Sequence, residues 1–276
     1  MKNYFRHEKL SDRVYRIISI AEEMQYLVIG SKKAVLFDTG TGVGNIADYV
    51  KTLTDRPLEV YLTHGHCDHA GGAGCFERVY LSEDDFELFK EHSTLQIRQE
   101  FVEMSLREEG EREFPPTLDY VDNRQVELCP LSVGDEIDLG DIHFKVISGK
   151  GHTKGSLCFL DEEHKEIFLG DAINGRMFLF LPECTSVREY LSTLIRFDEI
   201  KSEMDHMYIF HHPGEITEDY IRNTIEICED ILRQKTDDIP FEFLGHQGYF
   251  AKATDAQGNR LDGKVGNIVY SKDKVG

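Results

Sequence analysis

For the first forty positions, apolar residues come in short runs: VYRIISI over 14–20, MQYLVIG over 24–30 and KAVLFDTG over 33–40, separated by polar or glycine-containing turns. Runs of this length, rich in Val, Ile and aromatics, predict strands. The period then changes. A helix is expected from about Val43 to Thr54, followed after Pro57 by the strand LEVYLT, which leads directly into THGHCDHAGG. From Ser82 to about Gly110 the pattern is helical and acidic, with Ser82 ahead of Glu83, Asp84 and Asp85 as a helix start whose charge complements the dipole. Beyond Pro115 and Pro116, strand signals return in QVELCPL, DEIDLGDIHFKVISG, SLCFL and EIFLGD. A helix near Ser186 to Ile200, the strand MYIF (207–210), a helix from about Thr217 to Lys235 and a β-like tail (FEFLG, GYFAKATDAQGNRLDG, NIVYS) complete the series. Strand groups interrupted by helices in both halves predict a layered α/β protein. We expect a single domain over 1–276, with 82–116 as a helical insertion or cover.

A chain of 276 residues can bury a core without disulfides or a structural metal, so a metal site in it would be functional. Its 51 acidic against 31 basic side chains give a formal charge of −20, which disfavours extended contact with nucleic acid or anionic lipid. The six cysteines carry no CxxC pair and no dense spacing, which fits a reducing compartment. The start, MKNYFRHEKLSDR, lacks the apolar stretch of a signal peptide, and no apolar run approaches the roughly 18 residues of a membrane span. The expectation is a cytoplasmic protein with no membrane partner.

THGHCDHAGG places four potential ligands, His64, His66, Asp68 and His69, where a strand ends and a glycine-rich loop begins. Imidazole and carboxylate suit zinc and related metals, and a strand-to-loop exit can turn alternate side chains toward one centre.

HGHCDH matches the HxHxDH motif of the metallo-β-lactamase superfamily, and further landmarks follow in order. FDTG (37–40) resembles the family's early Asp-Thr-Gly, GHTKGS (151–156) its GHTxGS segment, LGDAI (169–173) its GD segment and IFHHPGE (209–215) its terminal His segment. The resemblance covers roughly residues 14–216. It implies a four-layer αβ/βα sandwich, with two β-sheets face to face and helices outside. It also implies that His64, His66 and His152 bind one metal ion, that Asp68, His69 and a late His bind another, and that Asp171 bridges them. The family's late His usually follows a strand by one small residue, so His212 is expected over His211. Zinc is the first choice for the two divalent ions, with iron or manganese as alternatives. Seven ligands leave coordination positions open, where a hydroxide bridging the ions would be the nucleophile. Asp68 and Asp171 are the candidate catalytic carboxylates.

The function so implied is hydrolysis of a small ester, thioester, lactone or amide. The competing readings are a phosphodiesterase or nuclease, which would need a local basic cleft, and an iron-dependent oxygenase of the same fold. His66 stands where the family's flavodiiron branch has a carboxylate, which weakens a redox role. A glyoxalase II-like thioesterase would carry basic residues in its C-terminal part, and the tail from Phe241 is not clearly of that kind. Asp38 is either a carboxylate orienting a ligand His or a turn residue. Lys154, Asn174 and His246 are minor substrate-side candidates, and Cys67 is expected to point away from the metals. The remaining histidines, His7, His92, His143, His164 and His206, are read by default as surface or core. Phe86, Phe89, Phe101, Met104 and Phe114 give the insertion an apolar face suited to covering a small-molecule pocket or forming a homodimer.

Overall fold

The computed structural model describes residues 4–108, 117–243 and 245–276. The chain divides into two compact units, residues 1–146 with 210–212 and residues 147–209 with 213–276.

The first unit holds a seven-stranded sheet whose spatial order follows the sequence: β1 (Phe5–Lys9), β2 (Val14–Ser19), β3 (Met24–Ile29), β4 (Ala34–Phe37), β5 (Leu58–Tyr61), β6 (Arg78–Leu81) and β7 (Glu127–Pro130). The first four strands are antiparallel, and pairing is parallel from β4 to β7. Parallel neighbours need a crossover. The link from β4 to β5 contains α1 (Ile46–Val50), capped by Asn45, whose Oδ1 accepts from the Asp48 amide at 3.1 Å. This helix starts later than its apolar pattern suggested, because Gly44 takes a left-handed φ of 79°. In register, Phe37 lies beside Tyr61, so the segments that leave β4 and β5 emerge side by side at the C-terminal edge of the sheet. These segments are FDTG and THGHCDH. The carboxyl edge of parallel strands is where α/β sheets usually carry their ligands.

After β5 comes α2 (Cys67–Ala70), a helix of one turn. The expected acidic helix exists but in pieces: a 3-10 turn at Glu83–Asp85, then α3 (Phe86–His92) and α4 (Leu95–Glu108). Ser82 makes no side-chain cap. Phe89 and Val102 reach the core of this unit with Ile17, Leu27, Leu36, Val60 and Leu62. Phe86 packs against that core, while Phe101 and Met104 are partly exposed. Phe114 lies outside the described residues. Near the end of the unit come β8 (Glu136–Asp138) and its antiparallel partner β9 (His143–Ser148), whose last two residues belong to the second unit, and Phe144 meets Phe37 edge-on at 5.1 Å.

The second unit contains β10 (Leu157–Asp161), β11 (Glu166–Phe168), β12 (Arg176–Leu179), α5 (Val187–Ile200), β13 (His206–Tyr208), α6 (Glu218–Leu232), β14 (Ile239–Phe243), β15 (His246–Phe250) and β16 (Asn267–Tyr270). β11 pairs with β10 antiparallel and with β13 parallel. A separate four-stranded sheet runs in the order β12, β16, β15, β14. α5 begins with a capping box, in which Ser186 and Glu189 satisfy each other's backbone amides. Val187, Tyr190, Leu194 and Phe197 of α5 share a core with Ile221, Ile227 and Ile231 of α6. Among the described residues no helix is long and apolar enough to cross a membrane.

Candidate metal centre

The exits of β4 and β5 bring together most of the residues that the motif nominated in the first unit. Asp38 takes a left-handed φ of 63°, an uncommon conformation for a non-glycine residue. In return its carboxylate accepts from the Thr63 amide at 2.7 Å and the Thr63 hydroxyl at 2.7 Å, and it faces His69 Nδ1 at 2.7 Å. The two readings of Asp38 therefore merge, because the turn itself aims the carboxylate. Complete burial pushes the Asp38 pKa up, against the opposing pull of His69 and Thr63.

Tied to Asp38 through Nδ1, His69 presents Nε2 on its other side, 3.3 Å from His211 Nε2 and 3.5 Å from Asp68 Oδ2. His211 Nε2 is also 3.3 Å from Asp68 Oδ2. Burial alone would raise the Asp68 pKa, but the charge and hydrogen bonds of His69 and His211 outweigh it and hold the carboxyl well below its usual range. Nearby, His64 Nδ1 lies 3.0 Å from the Thr63 hydroxyl, and its Nε2 is 3.1 Å from His66 Nδ1.

This donor set fits a divalent transition metal. Ligand atoms of Asp68, His69 and His211 lie within 4.8 Å of one another. With Nδ1 of His69 donating to Asp38, its Nε2 carries a lone pair toward the Nε2 of His211. Facing imidazole lone pairs repel unless a proton or a cation lies between them, and two imidazoles with a carboxylate are typical ligands for such a cation.

The structure turns His211, not the expected His212, toward His69 and Asp68, and His212 is exposed. Phe210 explains the difference. Its carbonyl accepts from the Met24 amide at 2.8 Å, and its buried ring packs on Tyr26 at 4.9 Å. That anchor aims the next side chain at His69 and Asp68 and sends the following one to solvent.

In the second unit, His152 Nε2 stands 3.8 Å from Asp171 Oδ2. His152 Nδ1 faces the Phe178 carbonyl at 3.3 Å, and the Asn174 amide donates to Asp171 Oδ2 at 3.4 Å. One side chain steadies both loops: the Tyr190 hydroxyl donates to the Ala172 carbonyl at 2.9 Å, and its ring lies where a Cβ on Gly151 would come within 2.3 Å. Lys154 and His246 are exposed, and Cys67 is buried with its thiol pKa pushed well up by burial.

Residues 23–246 match the family model of the metallo-beta-lactamase superfamily. The chain belongs to that superfamily. It is 30% identical over 193 residues to the acyl-coenzyme A thioesterase MBLAC2 of Gallus gallus, over 63% of this chain and 66% of that one, just under two thirds of the relative's length. Among solved structures, a metallo-beta-lactamase from Pontibacter korlensis superposes with a TM-score of 0.58 at 16% identity, covering 80% of this chain and 97% of the other. TTHA1623 in a di-iron-bound form superposes with a TM-score of 0.52 at 25% identity, covering 75% and 96%. The α/β fold expected from the motif is thus the fold adopted.

Around the superfamily motif the structure adds contacts that sequence reasoning did not find, made by α3, α4 and the loop before β7. The Gly65 amide donates to the buried Asp85 carboxylate at 3.0 Å, and a Cβ on Gly65 would come within 2.9 Å of the Asp85 carbonyl. The His92 ring lies 4.8 Å from that of His66. Arg98, only 2% exposed, donates to the Gly71 carbonyl at 3.0 Å and the Val121 carbonyl at 2.8 Å. The Asn123 amide donates to the same Gly71 carbonyl at 2.8 Å. A signal for Arg98 was present: it stands one helical turn before Val102, on the buried stripe of α4, where an arginine requires partners.

Proposed function

We propose that this chain is a metal-dependent thioester hydrolase. Its ligands are those the superfamily motif implies, His64, His66, Asp68, His69, His152 and Asp171, with His211 in place of His212. The observation that carries the reading is the Asp38, His69, His211 and Asp68 cluster at the C-terminal edge of the parallel strands, a donor set that wants a cation. The name of the Gallus gallus relative supports a thioester as substrate, and the di-iron form of TTHA1623 supports a pair of metal ions. Zinc remains the first choice, with iron next.

Bound divalent ions would supply Lewis acidity for the scissile carbonyl and a water nucleophile active near neutral pH. The chain's own residues prepare that chemistry. Asp38 holds His69 in one tautomer with Nε2 toward the centre, and Phe178 does the same for His152 through its backbone carbonyl. Asn174 steadies Asp171 through its side-chain amide. A net charge of −20 supports a small-molecule substrate over a nucleic acid, and six unpaired thiols support a reducing, cytoplasmic setting.

The test is metal analysis followed by a panel of coenzyme A thioesters, glutathione thioesters, esters, lactones and phosphodiesters. Thiol release by protein carrying close to two ions is expected. Cleavage of phosphodiesters alone, or oxygen consumption by an iron-only form, would overturn the reading.

A further inference from the structure

The two faces of the sheet formed by β12, β16, β15 and β14 have opposite surroundings. Met177 and Leu179 of β12 enter the core of the second unit with Ile268 and Tyr270 of β16. Phe178 lies on the other face, where its ring centroid is 5.2 Å from Phe180, 5.7 Å from Phe241 and 5.4 Å from Phe243. Phe241 in turn meets Phe180 at 5.9 Å and Phe250 at 5.0 Å. Phe178, Phe241, Phe243 and Phe250 are all partly exposed. A sheet face turned away from the core normally alternates to polar side chains. A connected group of phenylalanine rings in that position marks a binding surface. Gly248 lets the rings close up, since a Cβ there would lie 2.9 Å from the Phe180 ring.

The same strand reaches His152, one of the proposed ligands. The Phe178 carbonyl faces His152 Nδ1 at 3.3 Å and accepts from the Cys184 thiol at 3.3 Å. One residue therefore orients a candidate ligand with its backbone and opens the aromatic face with its side chain.

We propose that this face is the subsite for the acyl part of the substrate, and that the acyl group is a long, unbranched, uncharged hydrocarbon chain. The proposal rests on the thioesterase reading. The acyl chain is bonded to the carbonyl under attack, so its first carbons must lie close to the ligand histidines, and Phe178 offers apolar surface there. Phe241, Phe243 and Phe250 continue that surface, and an acyl group ending in an anion would have to desolvate its charge against the rings. Each methylene transferred from water to such a surface should raise kcat/KM by about fourfold until the rings are covered.

The experiment uses the full metal-loaded chain and two measurements. The first is kcat/KM for a series of thioesters of one carrier thiol, from acetyl to decanoyl, with a dicarboxylic acyl group of matched length. The second is calorimetric binding of the non-hydrolysable S-ethyl and S-decyl thioethers of the same thiol. We expect a steep preference for the longer chain in both, rejection of the dicarboxylic acyl group, loss of the gradient by about tenfold or more in Phe241→Ser, and its retention in Phe241→Leu. Thioester cleavage with equal rates along the series would overturn the subsite and leave the thioesterase reading standing. Chain-dependent thioether binding without cleavage of any thioester would uphold the subsite and remove that reading. A mass in solution of two chains that falls to one in Phe241→Ser would overturn the subsite in favour of a second copy covering the face.

Discussion

The ring of His92 lies 4.8 Å from the ring of His66, with the planes 31° apart, so α3 reaches back onto the motif that precedes it in the chain. A neighbour packed against the ring of a proposed ligand limits the directions in which that ring can turn. His92→Ala should therefore weaken metal retention by about tenfold, the lower end of what outer partners of ligands contribute. His92→Phe should keep most of it. Competition with a chromophoric chelator measures both, and equal retention in His92→Ala and the parent would show that the contact is packing alone.

Arg98 of α4 is a second tie to the motif, and its loss should appear first in stability. Arg98→Met removes donors to the Gly71 and Val121 carbonyls from a buried place, at a cost of about 2–4 kcal/mol. Arg98→Lys should recover only part, because an ammonium cannot span two carbonyls with the guanidinium's fixed fork. Thermal melting of the metal-free and metal-loaded protein checks the order parent, Lys, Met.

Asp38→Asn changes few atoms but offers an amide where His69 Nδ1 requires an acceptor. The expected result is metal affinity lower by about 10–100-fold with the fold retained. Direct titration of the metal is the measurement, and an unchanged affinity would show that the hydrogen bonds of Thr39 to the His69 carbonyl hold the residue without help.

His211→Ala should lower the bound metal toward one ion per chain and abolish turnover, whereas His212→Ala should match the parent, since His212 is exposed. Elemental analysis after dialysis discriminates the two. A loss confined to His212→Ala would return the late ligand to the position expected from the sequence.

Asp238, just before β14, gives a prediction on acid. Hydrogen bonds from Thr236, Tyr270 and Lys272 depress its pKa from 3.8 to about 2. A depressed carboxylate stabilises the folded state fully above its unfolded pKa, and that contribution fades as pH falls toward 2. The stability difference between the parent and Asp238→Asn should thus be constant at neutral pH and shrink below about pH 4. Denaturant melts across that range test the sign.

The motifs made much of this legible in advance, and the physical reason is locality. HGHCDH lies within a few residues, and β2 to β5 show runs of apolar side chains that any buried strand must have. β1 escaped because FRHEK has one buried side chain followed by exposed ones, and only its pairing with β2 makes it a strand. β12 escaped for a similar reason, since four residues depend on β16, which arrives almost at the end of the chain. Which of His211 and His212 faces His69 depended on where Phe210 is anchored, and the contact of His92 with His66 joins segments that sequence spacing does not relate.

A Cβ on Gly42 would come within 2.1 Å of the Gly71 carbonyl, and one on Gly72 within 2.3 Å of the Thr39 carbonyl. The stretches after Asp38 and after His69 thus touch backbone to backbone, with no side chain between them to be trimmed. For mutational drift, these two short stretches behave as one locus. A methyl gained on either side needs room that the other has already given up, so no compensating substitution exists among the twenty amino acids. Variation in substrate preference among descendants of this chain should therefore accumulate in α3, α4 and the strands around Phe178, while the glycines stay fixed.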